Sequence, residues 1–187
     1  MRDHIIQRLQ QDHRNILRIL SLMRMQIDFM SVHDGHALAL ISNAMHYMQQ
    51  YPGLMHHPLE ELIFDRVESE DDALVRVVTR LRSEHKEFPL MEADILVCIS
   101  EQLGTDVDMR PRLRELGNAY LDAQGQHLQT EDVDFFPLAQ DILSLAQWNQ
   151  VYQMAASRED PIFGPQALAR FDNLYDALMA AGLKLPH

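Results

Sequence analysis

Four histidines and two glutamates are spaced so that they could converge on metal ions. Asp12-His13 is followed by His56-x-x-x-Glu60, and later Glu84-His85 is followed by His127-x-x-x-Glu131. The two opening histidines lie 72 residues apart and the two His-x-x-x-Glu units 71 apart. Eight places after each second histidine stands an aromatic residue, Phe64 and Phe135. Metal-capable residues that recur in register are far more specific than any single histidine. Residues at i and i+4 share a helix face with Cβ atoms about 5–6 Å apart, so an imidazole and a carboxylate can meet at one metal, or the carboxylate can span two. Imidazole mixed with carboxylate suits non-haem iron, and six such ligands suit two ions. A structural zinc site would draw on thiolates, and Cys98 is the only cysteine.

The elements that carry these residues read as helices. From Arg2 to about Met30, apolar residues fall at Ile6, Leu9, Ile16, Leu17, Leu20, Met23 and Ile27, in steps of three and four. Ser31 to Gly35 is a turn, and a second helix starts near His36. Tyr51-Pro52-Gly53 interrupts or kinks it, because Pro cannot donate to the preceding turn. The pattern resumes through His56, Leu59, Ile63, Phe64 and Val67. Asp71-Asp72 opens a third helix, its acids at the positive end of the helix dipole. That helix carries Leu74, Val77, Val78, Leu81 and Phe88, then Ile95 to Leu103, with a kink expected at Pro89. Gly104 to Asp108 is a loop, and Pro111 suits the first turn of a fourth helix ending near Leu145.

No useful stretch alternates with period two, so no sheet is expected. The expected fold is all-α, an up-down-up-down antiparallel four-helix bundle over residues 1–145 with extra C-terminal helices over 146–187. The extension holds a helix around Trp148 to Ala156, a break at Asp160-Pro161-Ile162-Phe163-Gly164-Pro165, and a last helix from about Gln166 to Ala181. Leu168, Phe171, Leu174, Tyr175 and Leu178 form its stripe. This tail is expected to pack on the bundle or on a second subunit, which would give a homodimer.

A lone histidine on a helix is more often a surface or hydrogen-bonded residue than a ligand. His13, however, sits among Ile6, Leu9, Ile16, Leu17 and Leu20, and His85 on the face of Val78, Leu81 and Phe88. An unpaired imidazole in such a core costs free energy that a metal would offset. Glu60 and Glu131 share faces with Ile63, Phe64 and Phe135, and a buried carboxylate needs a cation still more. From His56 the same-face positions are mostly apolar, whereas from His57 they are Glu60, Glu61, Phe64, Asp65 and Glu68. His56 is therefore the expected ligand and His57 a rim residue. His4, His33, His36, His46 and His187 fall in no repeat and read as surface residues. The metal set is thus His13, His56, Glu60, His85, His127 and Glu131.

Other classes find little support. The chain has no His-Glu-x-x-His, no phosphate-binding Gly-x-x-x-x-Gly-Lys, no Gly-x-Ser-x-Gly and no Glu-x-x-His. Cys98, beside Leu96 and Val97, reads as a core residue. With 16 basic and 28 acidic residues the net charge is −12, which repels nucleic acid and anionic lipid. No apolar run reaches the roughly 18 residues of a membrane span. The polar opening residues and the lone thiol together lead to an expected cytoplasmic setting.

These residues resemble the hemerythrin/HHE cation-binding family. The resemblance covers about residues 1–145. It rests on Asp12-His13, Tyr51-Pro52, His56-His57-Pro58-Leu59-Glu60-Glu61, Glu84-His85, and His127-x-x-x-Glu131-Asp132 with Phe136-Pro137. It implies a four-helix bundle holding two iron ions, oxo- or hydroxo-bridged, with Glu60 and Glu131 spanning them and the histidines capping them. Oxygen-carrying members place two histidines one turn apart on the third helix and end the fourth-helix motif with Asp. Here Leu81 and Pro89 flank His85, and the second carboxylate is Glu131. Six ligands instead of seven look closer to the di-iron proteins linked to iron-cluster repair and nitric-oxide response. The expected function is to bind, sense or react with O2, NO or peroxide. Iron handling without turnover, and a structural bundle with a vestigial site, are the alternatives.

Overall fold

The computed structural model describes residues 2–32, 34–69, 72–155, 160–164 and 171–183, and all its regular elements are helical. They are α1 (Arg2–Phe29), α2 (Gly35–Gln50), α3 (His57–Val67), α4 (Asp72–Gly104), α5 (Arg110–Gln129), α6 (Phe136–Ile142), α7 (Leu145–Met154) and α8 (Asp172–Ala180). Two π-helical turns, Pro52–His56 and Thr130–Phe135, join α2 to α3 and α5 to α6. Each joined pair acts as one long rod, so four rods make the bundle. Contacts run around it from α1 to α2, α2 to α4, α4 to α5, and α5 back to α1.

Local chemistry explains most of the boundaries. Asp34 caps α2 by accepting from the Ala37 N–H. At Tyr51 the carbonyl accepts from the N–H groups of both Met55 and His56, because Pro52 leaves the ladder short of a donor and the chain widens into a π turn. Pro89 lies inside α4, which runs on to Gly104. Ser144 and Gln147 close a reciprocal capping box at the start of α7. At the end of α8, Gly182 takes φ +72, and its N–H donates to the Met179 carbonyl.

The core is two apolar clusters with a polar layer between them. One holds Leu9 of α1, Ile63 and Phe64 of α3, Leu81 of α4 and Phe135 with Phe136. The other holds Ile16 and Met23 of α1, Met45 and Tyr47 of α2, Phe88 and Ile95 of α4, and Tyr120 of α5. Successive rods meet the clusters in alternating order, as an up-down-up-down path requires. His13, His56, Glu60, His85, His127 and Glu131 fall between the clusters. Leu17, placed on the inner stripe by its spacing, is 44% exposed.

The tail packs on its own bundle. Trp148 and Val151 of α7 are buried in the first cluster against α1 and α3. Phe171, Leu174 and Leu178 join the second, against α1 and α2. The start expected for the last helix, from Gln166 to Arg170 with Leu168, lies outside the described residues. His33, His187, Ala156 and Asp71 also lie outside them. His4, His36 and His46 are exposed as expected, and Cys98 is buried. Among the described residues no helix is long and apolar enough to cross a membrane.

Candidate metal centre

Each rod delivers its ligand candidates into the layer between the apolar clusters. α1 brings His13, α4 brings His85, the first π turn ends on His56, and α3 carries Glu60 one turn later. His127 closes α5, and Glu131 lies in the second π turn. All six expected residues meet there. His13, His56 and His127 are 1% exposed, and Glu60 and Glu131 are fully buried.

The imidazoles face one another in two pairs. Nε2 of His13 and of His56 are 3.1 Å apart, as are Nε2 of His85 and of His127. The glutamates lie between the pairs. Glu60 Oε1 is 3.0 Å from His56 Nε2 and 3.4 Å from His13 Nε2, while its Oε2 is 3.5 Å from His85 Nε2. Glu131 Oε2 lies 3.3 Å from His127 Nε2 and 3.4 Å from His13 Nε2, and its Oε1 is 3.8 Å from His85 Nε2. Two overlapping groups of donor atoms are close enough to hold a metal ion each. One is His13, His56, Glu60 and Glu131; the other is His57, Glu60, His85 and His127.

Every outer ring nitrogen of these four histidines has a carboxylate behind it. His56 Nδ1 lies 3.3 Å from Asp12 Oδ2, and His127 Nδ1 lies 2.8 Å from Glu84 Oε2. His85 Nδ1 is 3.1 Å from Glu61 Oε1, and His13 Nδ1 is 3.1 Å from Asp132 Oδ1. The last pair is bent away from a well-aligned hydrogen bond, yet Asp132 still favours the charged ring. A carboxylate at Nδ1 holds the ring proton there and leaves the Nε2 lone pair free to point inward. The four acids were legible beside the ligands, as Asp12-His13, Glu60-Glu61, Glu84-His85 and Glu131-Asp132. Their role was not, because each braces a histidine on another rod.

The electrostatics are those of a cage built for cations. Burial works to neutralise His13, yet Asp132, Glu131 and Glu60 hold its imidazole well above the ordinary range. Burial likewise opposes charge on His56, but Glu60 and Asp12 raise it to about 9. Glu60 is held ionised by His56 and His13 despite its burial. Glu60 Oε2 and both carboxylate oxygens of Glu131 have no hydrogen-bond donor among the described residues. Buried carboxylates without donors, facing inward lone pairs, fit a bound cation with mixed nitrogen and oxygen ligands. Where no cation is present, protons must stand in for it.

His57 is half-buried at the edge of the cage, on the face that carries the partly exposed Glu61, Asp65 and Glu68. Its ring stacks on that of His85 with centroids 4.0 Å apart and meets His127 edge-on at 6.0 Å. Burial, and then the charge of His85, push its imidazole well below the ordinary range. Of the residues that share its face, Glu60 and Phe64 are fully buried, so its ring reaches the cage from that edge. Beside His57 and His85 lies a cavity of about 430 Å³, with Phe88, Pro89 and Glu92 along α4.

A second polar chain leaves the cage at Asp12. Its Oδ1 accepts from Tyr51 OH at 3.1 Å. The Tyr51 ring stacks on that of Tyr47, whose hydroxyl donates to Asp160 Oδ2 at 2.8 Å. Asp160 Oδ1 accepts from the backbone of Ile162 and Phe163, so the Asp160-Pro161-Ile162-Phe163-Gly164 segment is tied to the bundle beneath the cage.

A helical bundle with a buried His/Glu cage defines a cation-binding protein. The family model described as the Hemerythrin HHE cation binding domain matches residues 4–139, and the chain belongs to that family. No curated protein matched the chain.

Proposed function

We propose that this chain holds two iron ions and reacts with or senses a small diatomic molecule or peroxide, with O2, NO and H2O2 as the candidates. The supporting observation is that Glu60 and Glu131 lie at ion-pair distance from imidazoles of both histidine pairs. His13 and His56 would hold one ion and His85 and His127 the other, with both glutamates shared. Iron bound in this way supplies one-electron redox chemistry and an affinity for small anionic or diatomic ligands.

The chain's own residues set the conditions for that chemistry. Asp12, Glu61, Glu84 and Asp132 fix the orientation of the four rings. Phe64, Phe135 and Phe136 exclude water from one side of the cage. α4 offers one imidazole only, since Leu81 is buried in that same apolar cluster and Pro89 lines the cavity on the other side. A small molecule therefore has a route to the cage beside His85. A vestigial site is disfavoured by the buried carboxylate oxygens that lack donors, which a metal-free scaffold would gain by losing.

Elemental analysis after expression with iron is the first test, with two irons per chain expected. One tightly held zinc and no iron uptake would overturn the reading. Stopped-flow mixing of the reduced, iron-loaded protein with O2, NO and H2O2 then separates reaction from storage. Absence of any spectral change with all three would leave iron handling as the function.

A further inference from the structure

The cavity beside the cage is much larger than a diatomic molecule needs. At about 430 Å³ it exceeds by more than ten times the roughly 30 Å³ that one water occupies in the liquid. It falls in the size range of sites for organic ligands, about 300–1,000 Å³. Met48, Leu54, Phe88 and Pro89 give it apolar walls, and the His57 ring adds an aromatic surface. Such a lining favours an apolar, flat body.

Glu92 adds a carboxyl group at one side. It is 3% exposed, and Oε1 accepts from Tyr120 OH at 2.9 Å. Its Oε2 is buried without a well-aligned donor. Burial pushes this carboxyl up to about 7, against the Tyr120 hydroxyl and the Gln49 amide that favour its charge. No lysine or arginine pairs with it among the described residues. Glu61, the other acid of the lining, is by contrast already paired with Arg82 and His85. Glu92 follows His85 by seven residues on α4, two helical turns or about 10 Å of rise. Six carboxylates in and behind the cage offset the charge of bound metal, so a further cation in the cavity is tolerated.

We propose that this cavity binds an arylalkyl ammonium ion, its nitrogen against Glu92 and its ring toward the stacked His57 and His85. The inference rests on the cavity and not on which metal fills the cage. It goes beyond the reaction with small diatomics by giving the protein an organic ligand.

The test is calorimetric titration of the metal-loaded chain with three probes of similar size, 2-phenylethylamine, 2-phenylethanol and 3-phenylpropionate. The amine should bind at least tenfold more tightly than the alcohol, and the carboxylate should not bind. Glu92→Gln should remove the preference for the amine while leaving metal content unchanged. Leu54→Trp, which fills the mouth, should weaken amine and alcohol alike. Equal affinity for amine and alcohol, or full amine binding by Glu92→Gln, overturns the proposal. Should Glu92→Gln fail to fold, the probe comparison in the natural chain and in Leu54→Trp still decides. Repeating the titration with zinc in place of iron separates the two readings, because amine binding there would survive even if the iron assignment fell.

Discussion

Stripping the cation from the cage and raising the pH should destabilise the protein between pH 6.5 and about 9. His56 is the group whose shift sets this window, with an ordinary value of 6.5 raised to about 9 by Glu60 and Asp12 against the opposing effect of burial. A histidine raised in the folded state contributes stability that is fully present below its unfolded value. That contribution is lost as pH rises through the folded value, when Glu60 faces a neutral ring. A shift from 6.5 to about 9 corresponds to about 3 kcal/mol. For a chain of this size that is a fall in Tm of roughly 6–12 °C. The metal-loaded protein should behave in the opposite way, since protons compete with metal for the same nitrogens and the competition fades as pH rises. Circular-dichroism melts of the chelator-treated and iron-loaded protein at pH 6.5, 7.5, 8.5 and 9.5 would show the curves diverging. Parallel curves would refute the reasoning, because the cage would then be indifferent to whether protons or metal fill it. His56→Asn should remove much of the metal-free slope.

Four further outcomes are expected. His56→Ala and Glu131→Ala should each lower metal content by elemental analysis, whereas His57→Phe keeps the stack on His85 and should retain two metals; a fall to one would make His57 a ligand. Glu84→Gln, which weakens the brace on His127, should reduce metal affinity by about 10–100-fold in competition with a chelating dye. Trp148→Ala should cost about 3–5 kcal/mol in urea unfolding, and a loss below 1 kcal/mol would mean that α7 is not docked on the bundle. Azide added to the oxidised iron-loaded protein should give a visible charge-transfer band, and widening the cavity with Phe88→Ala should speed its appearance in stopped-flow.

The cage was legible where ligand type and helical spacing coincide. His-x-x-x-Glu occurring twice identified His56, Glu60, His127 and Glu131, and the second-half partner of His13 identified His85. The all-α fold followed from the same periodicity. What escaped depends on contacts between rods. Asp12 sits next to His13 in the chain but braces His56 on the next rod, and spacing along one helix carries no information about that. The stack of His57 on His85 likewise joins two rods, and spacing along α3 could not show it. The π turns were visible only as breaks at Tyr51-Pro52-Gly53, and the turn at Thr130–Phe135 has no proline or glycine to announce it. Asp160 looked like the start of a loop, and its tie to Tyr47 depends on how the tail folds back.

The crossing of the braces means that neither half of the chain is a site by itself. If the connection between α3 and α4 were cut, the first piece would hold His13 and His56, but His13 would lose the Asp132 that backs it. The second piece would hold His85 and His127, with His85 losing Glu61. Each fragment keeps one oriented ring and one unsupported ring, so metal affinity in the separated pieces should collapse by more than half. It should return only on reassociation. A protein cut at that connection would work as a reporter whose signal is the metal centre itself, silent in either fragment and restored when they meet.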